Sequence, residues 1–580
     1  MNRMRNYLLT AFVVLMILFA AVGCSKAPDI TISYQANYEG RGELLSQAAV
    51  SGKKLEAPDT PTREGYTFLG WYKDATLDEA WDFSSTKATE SLSLYAGWDK
   101  DTADSFASSV QDKDFSKTRT PGSQESSYEY KLNFLPSIDG VSQPYVGDPM
   151  PYYEDGTYYL YYLKDGGDSF NHSIYLVTTT DFLSFTEYDT PVLEASRSGG
   201  QDGWIGTGSV VKVDGKYYFF YTGHAGSETM EYKEKVMVAV GETPYSFQKK
   251  DGWAITPPSE LGQKNDFRDP QAYIDSDTGR ITLTITAAQS GVARIIKYSL
   301  NKDLGDARYE GIILSDPIKA FWNLECSDTF RIGNRWYITY SGQDDTLWYA
   351  MGDSQFGPYT EPQRIDDKLF YAAKHVSDGS NTYMVGWTRR SESPSSTQDV
   401  SAWGGNLSIQ QVKAREDGSL YLLPVENVEK AFSSRRQLLI DSSYVHLSSG
   451  SVYSYKEVFT AYERFMLKGE FRFTGDGTFG LAFDYNNRTD KYKMVSIDPK
   501  NGTIQLLFNE GSTMITETAV QLEKNKDYSF TYIQEGSVGV FYIDGIAALT
   551  TRLYGVSGKA IRVFTENNDV LFTSLREYTF

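Results

Sequence analysis

Five short segments spread through the middle of the chain share one design, a tight turn followed by a run of β-branched and aromatic residues. DGTYYLYYL (Asp155 to Leu163), DGKYYFFYTG (Asp214 to Gly223), TGRITLTIT (Thr278 to Thr286), GNRWYITYSG (Gly333 to Gly342) and DGSNTYMVGW (Asp378 to Trp387) recur at intervals of roughly 45 to 65 residues. Asp-Gly, Thr-Gly and Gly-Asn suit hairpins, because Gly and Asn tolerate positive φ. A long fixed period marks a repeat fold with one sheet per unit. Five sheets around an axis predict a five-bladed β-propeller over residues 136–432. A β-helix would need a much shorter period, and a sandwich would not repeat so regularly.

A chain of 580 residues exceeds what one core organises, so further domains are expected on both sides of the propeller. Beyond about Ala431 the long period stops and ordinary strand alternation takes over. EFRFTG, FGLAFDY, YKMVSID, TIQLLFN, YSFTYIQ, VGVFYIDG and IRVFTE supply at least seven strands, which predicts a β-sandwich over 433–580. With 43 Tyr, 31 Phe and 49 Gly, the composition suits an all-β protein of many short strands and tight turns.

The chain opens with Arg3 and Arg5, an apolar run from Tyr7 to Gly23, and Ala21-Val22-Gly23-Cys24. A basic start, a short apolar stretch and small residues describe a secretory signal. With Cys first after the cleavage point, residues 1–24 resemble a bacterial lipoprotein signal, Ala21 standing where Leu is usual. The resemblance implies a lipid on Cys24 and a chain anchored on the outer face of the cell membrane. An uncleaved anchor would leave it on the same side. Residues 30–99 end in GYTFLGWYKDATLDEAWDF (Gly65 to Phe83) and SLSLYAGW (Ser91 to Trp98), which resembles the internalin-type B-repeat, a small β-rich module without catalysis. Tyr66, Phe68, Trp71 and Trp98 are expected in its core. Residues 100–135, rich in Ser, Asp and Thr, read as a flexible linker.

The net charge is −20, from 56 Lys and Arg against 76 Asp and Glu. Such a surface repels phosphate backbones, so no nucleic-acid partner is expected and a neutral substrate is the simpler one. Two cysteines exclude a disulfide scaffold and a Cys-clustered zinc site. His172, His224, His375 and His446 are scattered, with no HExxH pair. There is no DxDxDG loop and no Walker glycine stretch, so neither metal nor cofactor is predicted. If the chain is an enzyme, its acids and bases are carboxylates.

Three carboxylates stand in short, distinctive contexts upstream of the turns: Asp148 in YVGDPMP, Asp269 in DFRDPQA and Glu325 in WNLECSD. Each precedes its turn by about seven to nine residues, one short strand, and a shared offset predicts a shared place in each blade. If that strand is innermost, all three point into one funnel at the axis. Taken singly, each acid could instead bond backbone amides at a blade turn. Three in register, with Arg268 beside one, favour the funnel. Acids crowded there repel, so one stays charged while another keeps its proton, as glycosidic cleavage requires.

The ordered set GDP, FRDP and EC resembles glycoside hydrolase family 32, the β-fructofuranosidases, invertases, inulinases and levanases. WIGTGSV (Trp204 to Val210), KYYFFYTG, LFYAAKH (Leu369 to His375), VGWTRR and AWGGNLSIQQVKAREDGSLYLLPVENVEK extend it, as does VGVFYIDGIAALTTRLYG toward the C-terminus. The resemblance implies a retaining, exo-acting hydrolase of terminal β-fructofuranosyl residues in sucrose, inulin or levan. Asp148 would be the nucleophile and Glu325 the acid and then base. Asp269 would hold the ring hydroxyls and Arg268 orient the carboxylates. Thr207, Ser209 and Trp387 match substrate-pocket positions, Trp387 as a stacking face, and Cys326 packs beside the acid without a catalytic role.

The family commonly has WMNDPNG around the nucleophile. Here Gly147 replaces an Asn that would bond the sugar, and Leu163 stands where Gln is frequent. These departures keep two other readings open: an inverting, arabinosidase-like propeller, and a carbohydrate-binding surface protein whose enzyme domain has decayed. The sequence is silent on oligomeric state.

Overall fold

The computed structural model describes residues 29–38, 41–63, 66–77, 79–100, 130–137, 145–165, 172–196, 199–227, 230–316, 321–390, 402–450, 452–486, 491–508 and 513–580. The lipidation expectation at Cys24 and residues 101–129 of the expected linker lie outside these residues. No helix among them is long and apolar enough to cross a membrane.

The chain divides into two compact units, one up to Lys113 and one from Asp114. In the first, strands Ile30–Tyr38, Arg41–Ala49, Tyr66–Tyr72 and Leu92–Lys100 form a four-stranded sheet, with Ile30–Tyr38 parallel to Leu92–Lys100. Trp71 and Trp81 are buried with Ile32, Tyr34 and Leu94, and Phe68 and Trp98 pack against them. The Trp98 indole N–H donates to the Ala36 carbonyl at 2.7 Å. These aromatics hold the small sheet together. The side chain of Tyr66 is outside the described set.

The second unit contains five blades that succeed one another along the chain, each opened by the strand before one of the turns, the first and last being continuous in one eight-stranded sheet. Blade I starts with Tyr145–Glu154, blade II with Trp204–Val213, blade III with Phe267–Ile274, blade IV with Glu325–Ile332 and blade V with Phe370–Ser377. These first strands neighbour one another in a closed ring, so they surround the axis. Gly405 in the third strand of blade V (Ala402–Ala414) pairs with Val146 and closes the circle. The apolar faces of adjacent blades interleave, as where Val211, Phe220 and Val236 meet Phe267, Ile281 and Leu283.

Every first strand carries a β-bulge at one register position, after Gly147, Ile205, Arg268, Glu325 and Tyr371. A bulge turns the strand and re-aims side chains. The bulged residues Asp148, Asp269, Cys326 and Ala372 have φ of 38°, 56°, 52° and 52°, the left-handed region that non-glycine residues avoid. This corrects the expectation of one shared place for the three acids. Asp148 and Asp269 are bulge residues, whereas Glu325 lies one position earlier, level with Gly147, Arg268 and Tyr371.

The C-terminal part is a sandwich of a seven-stranded and a six-stranded sheet around an apolar core including Phe465, Phe471, Phe479, Tyr532 and Phe572. Residues 130–135 are not linker. The backbone N–H groups of Lys131, Leu132 and Asn133 donate to the buried Glu535 carboxylate of the sandwich at 2.7–2.8 Å. The Phe134 carbonyl accepts from Leu407 N–H of blade V at 2.9 Å. A stretch that looked polar and loose is thus held by buried hydrogen bonds.

Candidate active site

The bulges bring the three sequence-distant acids to the axial end of the first strands. Asp148 Oδ2 accepts from the Thr207 hydroxyl at 2.9 Å and Oδ1 from the Trp387 indole N–H at 3.2 Å. Glu325 is clamped on both oxygens, Oε1 by Arg268 Nη2 at 3.0 Å and Oε2 by the Tyr371 hydroxyl at 2.6 Å. Asp269 Oδ2 accepts the Cys326 backbone N–H at 2.8 Å, while its own N–H donates to Thr222 Oγ1 at 2.8 Å. Asp148 and Glu325 are partly open, whereas Asp269 is 4 % exposed. Two carboxylates therefore keep some access to solvent and one is closed off.

Arg268, Glu325 and Tyr371 occupy equivalent positions in blades III, IV and V, so one lateral chain of hydrogen bonds runs around half of the ring. Arg268 is fixed from the other side by Glu234 at 3.2 Å and Asp266 at 3.4 Å, with Trp322 5.2 Å from its guanidinium. Burial opposes its charge, but Glu234, Glu325 and Asp266 outweigh burial and keep it protonated. Burial likewise raises Glu234, yet Arg268 and His224 overcome it and hold Glu234 down at about 2. One position deeper, the buried Lys374 ammonium donates to the Gly208 carbonyl and Gln271 Oε1, both at 3.0 Å.

Burial pushes the Asp148 carboxyl up to about 6, helped by the negative charge of Asp269 and opposed by the bonds from Thr207 and Trp387. Asp269 is also raised, first by burial; Arg268 opposes this and Glu325 adds to it. Burial, with Asp269 and Asp148 nearby, lifts the Cys326 thiol far above its ordinary value, so it stays neutral. Among the described residues no group of His, Cys, Asp and Glu is arranged to hold a metal ion.

Three pocket expectations change. Ser209 accepts from Ala272 N–H at 2.8 Å and donates to the Pro270 carbonyl at 3.0 Å, so it ties blade II to blade III instead of meeting a ligand. Thr207 is buried, with its hydroxyl engaged by Asp148 and 3.6 Å from Cys326 Sγ. Trp387 is fully buried, with Arg389 over its ring at 5.1 Å and Tyr371 edge-on at 5.4 Å; it orients Asp148 and offers no stacking face. Tyr371 was not singled out from the sequence. Its place near the start of the LFYAAKH strand, matching the strand starts that carry Arg268 and Glu325, was the signal available.

Residues 142–424 match the sequence profile of the glycosyl hydrolases family 32 N-terminal domain, and residues 31–97 that of the Listeria-Bacteroides repeat domain. The second match extends to curated proteins. A protein of Evansella cellulosilytica is 39 % identical over 69 residues, 12 % of this chain and 10 % of that protein. Internalin H of Listeria monocytogenes is 38 % identical over 82 residues, 13 % of this chain and 15 % of its own length. These relatives are thus covered over a small fraction of their length. Among solved structures, sucrose-6-phosphate hydrolase from Lactobacillus gasseri superposes with a TM-score of 0.61 at 17 % identity, covering 82 % of this chain and 96 % of that one. Fructan 1-exohydrolase IIa from Cichorium intybus gives 0.61 at 16 %, covering 79 % and 98 %. At these identities the likeness establishes the fold, a propeller followed by a sandwich.

Proposed function

We propose, from the match of residues 142–424 to the family 32 glycosyl hydrolase N-terminal domain, that the axial pit is the centre of a retaining glycosidase acting on terminal β-fructofuranosyl units. The observation that carries this is the pair of partly open carboxylates held by different partners, Asp148 by Thr207 and Trp387 and Glu325 by Arg268 and Tyr371. Asp148 attacks the anomeric carbon as the bond to the leaving oxygen breaks, and that oxygen takes a proton from Glu325. Glu325, now a carboxylate, removes a proton from water as the water oxygen displaces Asp148. Asp269, with its bonded neighbours, supplies negative charge near the cation-like transition state. Sucrose, inulin and levan are the substrates to try, in keeping with the named activities of the two structural neighbours.

Sugar release from these three by the wild type, Asp148→Asn and Glu325→Gln tests the assignment. Asp148→Asn is expected to abolish turnover and Glu325→Gln to cost about 10²–10⁴-fold. Activity indifferent to both changes would refute the roles. NMR of the first-formed anomer separates retention from the inversion of an arabinosidase-like enzyme. A wild type that binds glycans and releases nothing would favour the decayed binding protein. The sequence of residues 1–24 supports a chain lipid-anchored outside the cell through Cys24. Labelled palmitate should enter the wild type and not Cys24→Ser.

A further inference from the structure

The ring of positions preceding the bulges is chemically split. Blades III to V present Arg268, Glu325 and Tyr371, joined by hydrogen bonds. Blade II presents Ile205, which is fully buried, and blade I presents Gly147, with Leu163 paired across from it and buried. Gly147 is not empty space. A Cβ built there would lie 2.1 Å from Trp403 Cη2 and 2.2 Å from Cζ2. The indole thus occupies the place of the missing side chain, reaching it from Ala402–Ala414, whose Gly405 pairs with Val146. Trp403 has little freedom to yield. It stacks on His172 with ring centroids 4.6 Å apart and planes within 7°, and meets Trp387 at 6.1 Å. It is only partly buried and packs against the core that holds Leu163 and Ile205.

We propose that Trp403 is a specificity-determining residue: filling the place beside Gly147 and backed by the buried Leu163, it makes blade I's side of the pit an apolar wall, which receives the C–H face of a glycosyl ring while blades III to V take its hydroxyls. The proposal rests on reading the pit as a glycosidase centre and narrows its substrate to rings without a hydroxyl demanding a partner on that side. Apolar contact with an aromatic side chain replaces the hydrogen bond that a polar side chain at 147 would make.

The test is binding of sucrose and of short inulin and levan fragments by isothermal titration, in the Glu325→Gln background, with steady-state kinetics in the active enzyme. Trp403→Ala should weaken binding about tenfold and raise KM with little change in kcat, while Trp403→Phe stays close to the wild type. Gly147→Asn should lose binding because its Cβ displaces the indole, and adding Trp403→Ala should restore part of it. Circular dichroism and melting of each variant identify any that misfold, in which case Trp403→Phe and Gly147→Ala carry the comparison. A fragment bound equally by the wild type and Trp403→Ala overturns this assignment alone. No fragment bound or cleaved by the wild type overturns the fructosidase reading, and this proposal with it.

Discussion

At Asp148 burial and the charge of Asp269 push the pKa up, two hydrogen bonds pull it down, and burial prevails at about 6. A nucleophile must be ionised, so the rate is expected to fall as the pH drops through about 6. Thr207→Val keeps the shape of the side chain and removes the 2.9 Å donor. Because that bond favours the carboxylate, its loss should move the acidic limb of kcat/KM to higher pH, on the order of half to one unit. An unmoved limb would mean that another group sets it. The acids themselves could be read from sequence because their contexts are distinctive. Their partners could not. Trp387 offers sugar-stacking chemistry in the sequence, and only packing reveals that its faces are covered and that its N–H is the working part. Trp403 carries no motif of its own; it becomes visible through the space above Gly147.

The bulge is the element that turns five ordinary hairpins into a site. Turn signals gave the blades their order, since Asp-Gly and its relatives are local chemistry, and the predicted propeller and sandwich are both present. The bulge has no such signature. Offsets of seven to nine residues, counted back from turns of two residues in blades I and IV and six in blade III, hide the one-residue step that sets Glu325 level with Arg268 instead of Asp148. The left-handed backbone at these bulges makes a sharp test. Ala372 follows Tyr371, has φ of 52°, and donates its N–H to Ser341 Oγ at 3.1 Å. A β-branched side chain is strongly disfavoured there. Ala372→Val should lower stability by about 1–3 kcal/mol and slow turnover by misplacing the Tyr371 hydroxyl, whereas Ala372→Gly should do neither. Thermal melts and kcat of the pair decide it. If Val behaves like Gly, the bulge geometry is not what holds Tyr371.

The propeller and the sandwich are joined by buried polar groups that no local pattern announces. Arg552, fully buried, donates to the carbonyls of Thr388 and Arg389 in blade V and to Asn406 Oδ1. Asp366 Oδ1 accepts from Asp367 N–H and Thr550 N–H, and its Oδ2 from Thr550 Oγ1 at 2.6 Å and Gln410 Nε2 at 3.3 Å. Every partner favours the carboxylate, yet burial outweighs them and pushes Asp366 up to about 6 from an ordinary 3.8. The protonated form is therefore bound more tightly by the folded state than by the unfolded one. Its stabilising effect is full below about 3.8 and is lost as the pH rises through 6, a difference on the order of 2–3 kcal/mol. Asp366→Asn removes the titration. The Thr550 hydroxyl can reverse and accept from the new amide, and Gln410 can flip, so the joint keeps its hydrogen bonds. Melting temperature against pH should then fall less between pH 4 and 7 for Asp366→Asn than for the wild type, the difference cancelling the other titrating groups. Parallel curves would mean that Asp366 holds its charge in the folded protein at no cost to stability.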